Sequence, residues 1–298
     1  MKRQLGAVGI GCLLGLAATV LCPGQARSQN VPVTNGQTIA FLGDSITQQG
    51  AGSGSGYVWL TVSGLACNGV KVQAIPAGIG GHKSNDMLAR LEKDLLGKRP
   101  DWMTLSCGVN DVWHQDFGKG VAPDEYKQNI AKIVDLCQSA GIKVMILTST
   151  MIGEDQVNAK NQKLIVYNEI LRTLAKEKHC LLADLNAEMQ AELLKMGRDP
   201  GKPGTALTSD GVHMNTDGNQ IMARGVLKAF GLGPDQINKA QETWLDLPDT
   251  CEIVGRSKLT IRQLRRLQSL AEQKKQPLDV LLSDEFKKTL DELLKDDK

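Results

Sequence analysis

The chain has 298 residues, 41% of them hydrophobic, with 35 basic side chains against 33 acidic ones. That length can bury one large core with appendages to spare. A formal net charge of +2 and only 4% aromatic residues provide neither a basic footprint nor a stacking platform, which argues against a nucleic-acid partner.

At the N-terminus, Lys2 and Arg3 precede an apolar run from Leu5 to Leu21, followed by Pro23, Gly24 and the small residues Ala26 and Ser28. This pattern predicts a signal peptide over residues 1–28, set apart from the fold. An uncleaved anchor competes, because the run approaches the ~18 residues that span a bilayer. The four glycines inside it and the small-residue exit favour cleavage. Lipidation at Cys22 is a weaker alternative, since Leu21 is not the small residue expected before a lipidated cysteine. The expected location is therefore secreted or periplasmic, with no stable membrane insertion after signal removal.

Beyond the signal, from Thr38 to Phe230, short apolar runs alternate with longer amphipathic stretches, as in a parallel sheet covered by helices on both faces. Thr38 to Leu42 is the first predicted strand and Val70 to Ile75 the second. Ser84 to Leu96 follows as a helix with Met87, Leu88, Leu91 and Leu95 at helical spacing. Trp102 to Ser106 is the third strand, after Pro100. The next helix, Pro123 to Ala140, aligns Tyr126, Ile130, Ile133, Val134 and Cys137. Lys143 to Leu147 is the fourth strand, preceded by Gly141, which suits a helix end. Asn158 to Lys178 is a helix, Leu181 to Ala183 the fifth strand, and Thr216 to Phe230 a helix with Thr216 as its N-cap.

After Phe230 the chain is punctuated by Gly231-Leu232-Gly233-Pro234 and becomes charged and helix-like. Thr260-Ile261-Arg262-Gln263 has capping-box form, with Ile261, Leu264, Leu267 and Leu270 as an apolar stripe. Ser283 is the expected cap of a last helix carrying Phe286, Leu290, Leu293 and Leu294. The domains are thus residues 1–28, a main α/β domain over 29–233, and a helical extension over 234–298. The extension is read as packing on the main domain, with a homodimer contact as the alternative.

Of seven cysteines, Cys67, Cys107, Cys137, Cys180 and Cys251 lie beyond the signal, widely spaced and without a C-x-x-C. Neither a disulfide scaffold nor a zinc site is indicated. Cys107 and Cys180, in apolar runs, are expected to be buried free thiols.

Four loop motifs carry the chemistry: Gly43-Asp44-Ser45, the Gly78 to Gly81 run, Gly108-Val109-Asn110-Asp111, and Asp210-Gly211-Val212-His213. The first three follow the first three strands, where open parallel sheets bind ligands. Ser45 is the candidate nucleophile, His213 its general base and Asp210 the group that orients the imidazole. His213 has an aspartate three residues earlier, Asp210, able to receive Nδ1–H if the segment makes one turn. The Ser45 and Gly81 N–H groups and the Asn110 amide are candidate oxyanion-hole donors. Asp44, adjacent to the nucleophile, is expected to tie its own loop together.

These four blocks, in order, resemble the SGNH (GDSL-type) esterases and lipases over roughly Thr38 to Phe230. Phe41 to Thr47 is similar to the first block and Ala77 to Gly81, with Met87 to Asp94, to the second. Pro100-Asp101-Trp102 leading to Gly108 to Asp111 is similar to the third, and Asp210 to His213, with Asn215 and Gly218, to the last. The resemblance implies a three-layer α/β/α sandwich with a five-stranded, mainly parallel, flavodoxin-like sheet. It also implies no metal or organic cofactor, and ester hydrolysis through an acyl-enzyme. It assigns the glycine donor to Gly81, with Gly78 as the alternative. Exported members that deacetylate polysaccharides make a small acyl ester of a sugar, with acetyl expected, the preferred substrate.

The residue after the oxyanion glycine is often acidic in this family and is His82 here. His82, Trp113 and His114 are therefore expected to contact the alcohol side of the substrate, with an exposed loop histidine as the competing reading. The Gly50 to Gly56 loop suggests open, polar surroundings rather than a lipid trough. A lysophospholipase or thioesterase, and a catalytically silent carbohydrate-binding protein, are the alternatives.

Overall fold

The computed structural model describes residues 31–197, 201, 204–247 and 260–297. The predicted signal peptide, and Cys251, lie outside the described residues. Five parallel strands form one sheet in the order β2-β1-β3-β4-β5: β1 (Thr38–Gly43), β2 (Gln73–Gly78), β3 (Trp102–Ser106), β4 (Lys143–Leu147) and β5 (Leu181–Ala183). β1 lies between β2 and β3, with Leu42 opposite Ala77 on β2 and Leu105 on β3.

Around the sheet run α1 (Ser45–Gly52), α2 (Tyr57–Cys67), α3 (Ser84–Asp94), α4 (Val109–Trp113), α5 (Pro123–Ser139), α6 (Ala159–Glu177), α7 (Leu185–Lys195), α8 (Thr216–Ala229) and α9 (Pro234–Leu245). The chain steps from β1 one way to β2, then crosses back to β3 and onward. With right-handed crossovers, α2 must cover the face opposite α3, α5 and α6. Helix contacts fall into those two layers: α2 meets α8 and α9, while α5 meets α3 and α6. Ile39, Ala40, Phe41 and Leu42 are all buried, as a strand covered on both faces requires.

Local chemistry accounts for the elements. Pro123 opens α5 with Asp124 and Glu125 in its first turn, and the predicted stripe from Tyr126 to Cys137 is buried. Asn158 caps α6, its side chain accepting from Lys160 N and Asn161 N at 2.9 Å each. The cap of α8 is Asn215, not Thr216: its side chain accepts from Gly218 N at 3.0 Å, and Thr216 is the first helical residue.

Other differences from the sequence reading have physical causes. β2 begins at Gln73, later than Val70, because the chain first turns at Gly69 (φ 88°) and joins the edge of the sheet beyond it. Half of the predicted Gly50 to Gly56 loop is helix α1, where Gly50 is buried beneath the Tyr57 ring. Helix α9 packs within the first compact unit, burying Ile237, Ala240 and Trp244, with Trp244 Nε1 donating to Leu60 O at 3.0 Å. Cys107 is buried, but Cys180 is partly exposed in the turn that enters β5.

The second compact unit, Glu252–Lys298, contains α10 (Ile261–Gln273) and α11 (Leu278–Leu293). Thr260 and Gln263 form the expected capping box. Ser283 is not a cap: α11 starts five residues earlier, with Pro277 at its N-cap, and continues through it. Ile261, Leu264, Phe286 and Leu293 are exposed. Among the described residues, no helix is long and apolar enough to cross a membrane.

Candidate active site

Strand β1 ends at Gly43 and Asp44 turns the chain, so that Ser45 becomes the first residue of α1. Asp44 Oδ1 accepts from Ile46 N at 2.9 Å, the loop-tying contact expected of it. Burial pushes the Asp44 carboxyl up to about 7, and the nearby Asp111 carboxylate adds to the effect.

His213 Nε2 lies 2.9 Å from Ser45 Oγ, and His213 Nδ1 lies 2.7 Å from Asp210 Oδ2. The other Asp210 oxygen accepts from Val212 N at 3.0 Å and His213 N at 2.8 Å. No helical turn forms there; the Asp210 side chain itself closes the bend. Burial would raise this carboxyl, but the bonds from His213 and Val212 outweigh it and hold Asp210 below its usual range. A carboxylate can only accept, so Nδ1 carries the ring proton and the Nε2 lone pair faces the Ser45 hydroxyl.

The three candidate donors, Ser45 N–H, Gly81 N–H and the Asn110 amide, lie just past the ends of β1, β2 and β3. Neither the Ser45 N–H nor the Gly81 N–H has an acceptor among the described residues. Gly81 sits at φ 76°, a conformation that favours glycine. The neighbouring Gly80 N–H is occupied by Gln48 Oε1 at 2.8 Å, and Gly78 is the last residue of β2, opposite Gly43. Asn110 Nδ2 donates to His82 O at 3.1 Å, which orients the amide and leaves its second N–H free. Asp111 accepts from Ser84 N at 3.0 Å and Ser84 Oγ at 2.6 Å, binding the second motif to the third. Burial raises the Asp111 carboxyl.

The sequence reading missed Arg90, on α3. Its Nη2 donates to Gly43 O and Ala77 O, both at 2.9 Å, and its Nε to His82 Nδ1 at 3.1 Å. Arginine has no acceptor, so His82 Nδ1 must be bare and its proton must sit on Nε2. Burial, then the Arg90 charge, lowers the His82 pKa and favours this neutral form. Arg90 lies within the stretch assigned to the second motif, but no spacing rule separates it from ordinary charged residues on that helix.

A cavity of about 420 Å³ adjoins the array, lined by Trp113, Ile152, Asn158, Lys160, Asp210 and Val212 among others. Lys160 Nζ sits 5.5 Å from the Trp113 ring centroid and 3.0 Å from Asp116 Oδ2. His114 does not line this cavity and instead packs edge-on against Phe117. His179, set aside from the sequence, lies near Trp102 and Lys143 at the opposite ends of the strands. Among the described residues, no group of three histidines, cysteines or carboxylates is arranged to hold a metal ion.

The profile of the GDSL-like Lipase/Acylhydrolase family matches residues 41–221. The chain belongs to this family. An acetylxylan esterase of Geobacillus stearothermophilus is 29% identical over 216 residues, 67% of this chain and 96% of that enzyme. Esterase TesA of Pseudomonas aeruginosa is 32% identical over 136 residues, 45% of this chain and 61% of TesA. Among solved structures, the acetyl xylan esterase AlAXEase superposes with a TM-score of 0.61 at 36% identity, over 64% of this chain and 98% of its own. Membership of the family, with esterases among its relatives, makes the chain a carboxylic ester hydrolase with the SGNH hydrolase fold.

Proposed function

We propose that the protein is a serine esterase that removes small acyl groups, acetyl above all, from carbohydrates through an acyl-enzyme. The observation that carries this reading is the continuous array from Asp210 Oδ2 through His213 to Ser45 Oγ, at 2.7 Å and 2.9 Å. His213 Nε2 takes the Ser45 proton as Oγ attacks the ester carbonyl. The oxyanion meets the N–H groups of Ser45 and Gly81 and the free Asn110 N–H. His213 then returns the proton to the departing sugar oxygen, leaving acetyl-Ser45. Water, activated by the same imidazole, releases acetate.

The carbohydrate assignment rests on the acetylxylan esterases among the relatives, supported by the cavity beside Asp210. Its volume of about 420 Å³ suits a sugar unit, and Trp113 and Asn158 provide an apolar face beside polar groups. His82, with its proton fixed on Nε2, acts as a neutral donor toward the alcohol part of the substrate. His114 has no such support, since it is turned toward Phe117. The protein is exported through residues 1–28, and α10 and α11 present their apolar side chains to a second copy. N-terminal sequencing of the mature protein and sedimentation of the full chain test these two points.

The function itself is tested with p-nitrophenyl acetate, butyrate and octanoate, together with acetylated xylo-oligosaccharides. Acetate release that vanishes in Ser45→Ala is the expected outcome. Rates rising with acyl length would instead favour a lysophospholipase or thioesterase, and inactivity on every ester would leave a carbohydrate-binding protein.

A further inference from the structure

Glu154 is a buried carboxylate, 4% exposed, in the loop between β4 and α6, and the mechanism above makes no use of it. Its Oε1 accepts from Leu207 N at 2.7 Å, Thr208 N at 2.9 Å and Thr208 Oγ1 at 2.8 Å. Its Oε2 accepts from Ala206 N at 2.7 Å. Among the described residues no lysine, arginine or histidine pairs with it. Burying a charge without a cation is costly unless hydrogen bonds replace its water, and here four donors from one short segment do so.

That segment is the base of the loop carrying Asp210 and His213. Thr208 Oγ1 passes the contact onward by accepting from Gly211 N at 3.2 Å. Gly153, next to Glu154, donates its N–H to Gly211 O at 2.7 Å. The loop closes on itself through Ser209 N to His213 O at 2.8 Å and Asn215 N to Leu207 O at 3.1 Å. Glu154 and Gly153 thus grip the loop on both sides of Asp210. The arrangement needs an acceptor at both oxygens. A glutamine in either orientation would turn its NH₂ toward a backbone N–H.

We propose that Glu154 is a positioning residue: by clamping residues 206–208 it sets the placement of His213 against Ser45. It touches neither substrate nor reacting atoms, and the inference rests on the esterase reading only for its kinetic test. A displacement of about 1 Å in such an array costs on the order of 10²-fold in rate. Glu154→Gln in the full chain should therefore lower kcat on p-nitrophenyl acetate about 10²-fold, with KM held within roughly threefold. The far-downfield proton signal of His213 Nδ1–H should weaken or shift in the folded variant. Thr208→Val, which removes one contact and keeps the backbone donors, should lower kcat by a smaller factor, roughly tenfold. Glu154→Asp should recover less than wild-type activity but more than the glutamine variant.

A folded Glu154→Gln protein with wild-type kcat and an unchanged Nδ1–H signal overturns the proposal. If that variant does not fold, Thr208→Val decides by the same two readouts. If the wild-type protein hydrolyses no ester, the esterase reading fails, and the Nδ1–H signal still decides the role of Glu154.

Discussion

Asp44 makes the stability of the sheet-bearing unit depend on pH in a direction opposite to most carboxylates. In the unfolded chain its carboxyl releases a proton near 3.8, whereas burial retains the proton up to about 7 in the folded protein. Between these values the unfolded state binds fewer protons, so stability falls as pH rises from about 4 to about 7 and is level above. At about 1.4 kcal/mol per pH unit, the penalty is on the order of 2 kcal/mol at pH 5 and 4 kcal/mol at pH 8. Asp44→Asn keeps an oxygen to accept from Ile46 N and removes the charge. Its stability relative to wild type should therefore improve by about 2–3 kcal/mol between pH 5 and pH 8. Urea unfolding followed by tryptophan fluorescence measures this cleanly, because Trp59, Trp102, Trp113 and Trp244 all lie in the first unit. An equal difference between the two proteins at both pH values would refute the reasoning.

Asn110→Ala removes the one side-chain donor of the proposed oxyanion hole and should lower kcat by ~10² to 10³ with little change in KM. Steady-state kinetics on p-nitrophenyl acetate check it, and a loss under fivefold would remove Asn110 from the hole. Arg90→Met strips a donor from the Gly43 and Ala77 carbonyls, so it should destabilise the protein by about 1–3 kcal/mol in urea unfolding. It should also free the His82 ring. Nitrogen-15 shifts of His82 should report a single Nε2–H tautomer in the wild type and a mixture in the variant. A wild-type ring protonated at Nδ1 would contradict the Arg90 contact.

The strands and long helices were legible because burial imposes a period on them. The stripe from Tyr126 to Cys137 and the continuous apolar run of β1 leave the sequence little other meaning. The four motif blocks were legible for a different reason, since the first three need a glycine or a small polar residue at a strand end and the last pairs an aspartate with a histidine three residues on. Short elements were not. Helix α1 is composed of Ser45 to Gly52, a glycine-containing stretch whose helical state depends on the Asp44 cap and on the Tyr57 ring that covers Gly50. Helix α9 reads as part of a charged tail until Trp244 is seen to reach Leu60 O. Arg90 and Glu154 escaped because the contacts that give them their place are largely to backbone atoms brought together by folding, and backbone groups leave no signature in composition or spacing.

The array divides into two parts that are held in different ways. Ser45, Gly81 and Asn110 stand at the ends of β1, β2 and β3, tied to each other by Arg90 and by the Asp111 to Ser84 contact. Asp210 and His213 come instead from a loop between two helices, α7 and α8. The Asp210 side chain is 54% exposed. Solvent screens its charge, so its attraction for a protonated imidazole is worth little by itself. Its contribution must then be chiefly geometric: Oδ1 shapes the bend through Val212 and His213 N–H, and Oδ2 fixes which ring nitrogen is bare. A base held by geometry is only as well placed as the loop that carries it. In this chain the loop's placement passes to Gly153 and Glu154, whose contacts are short, buried and directed at the residues on either side of Asp210. In the proposed mechanism the sheet fixes where charge develops, and the Glu154 loop fixes where the proton goes.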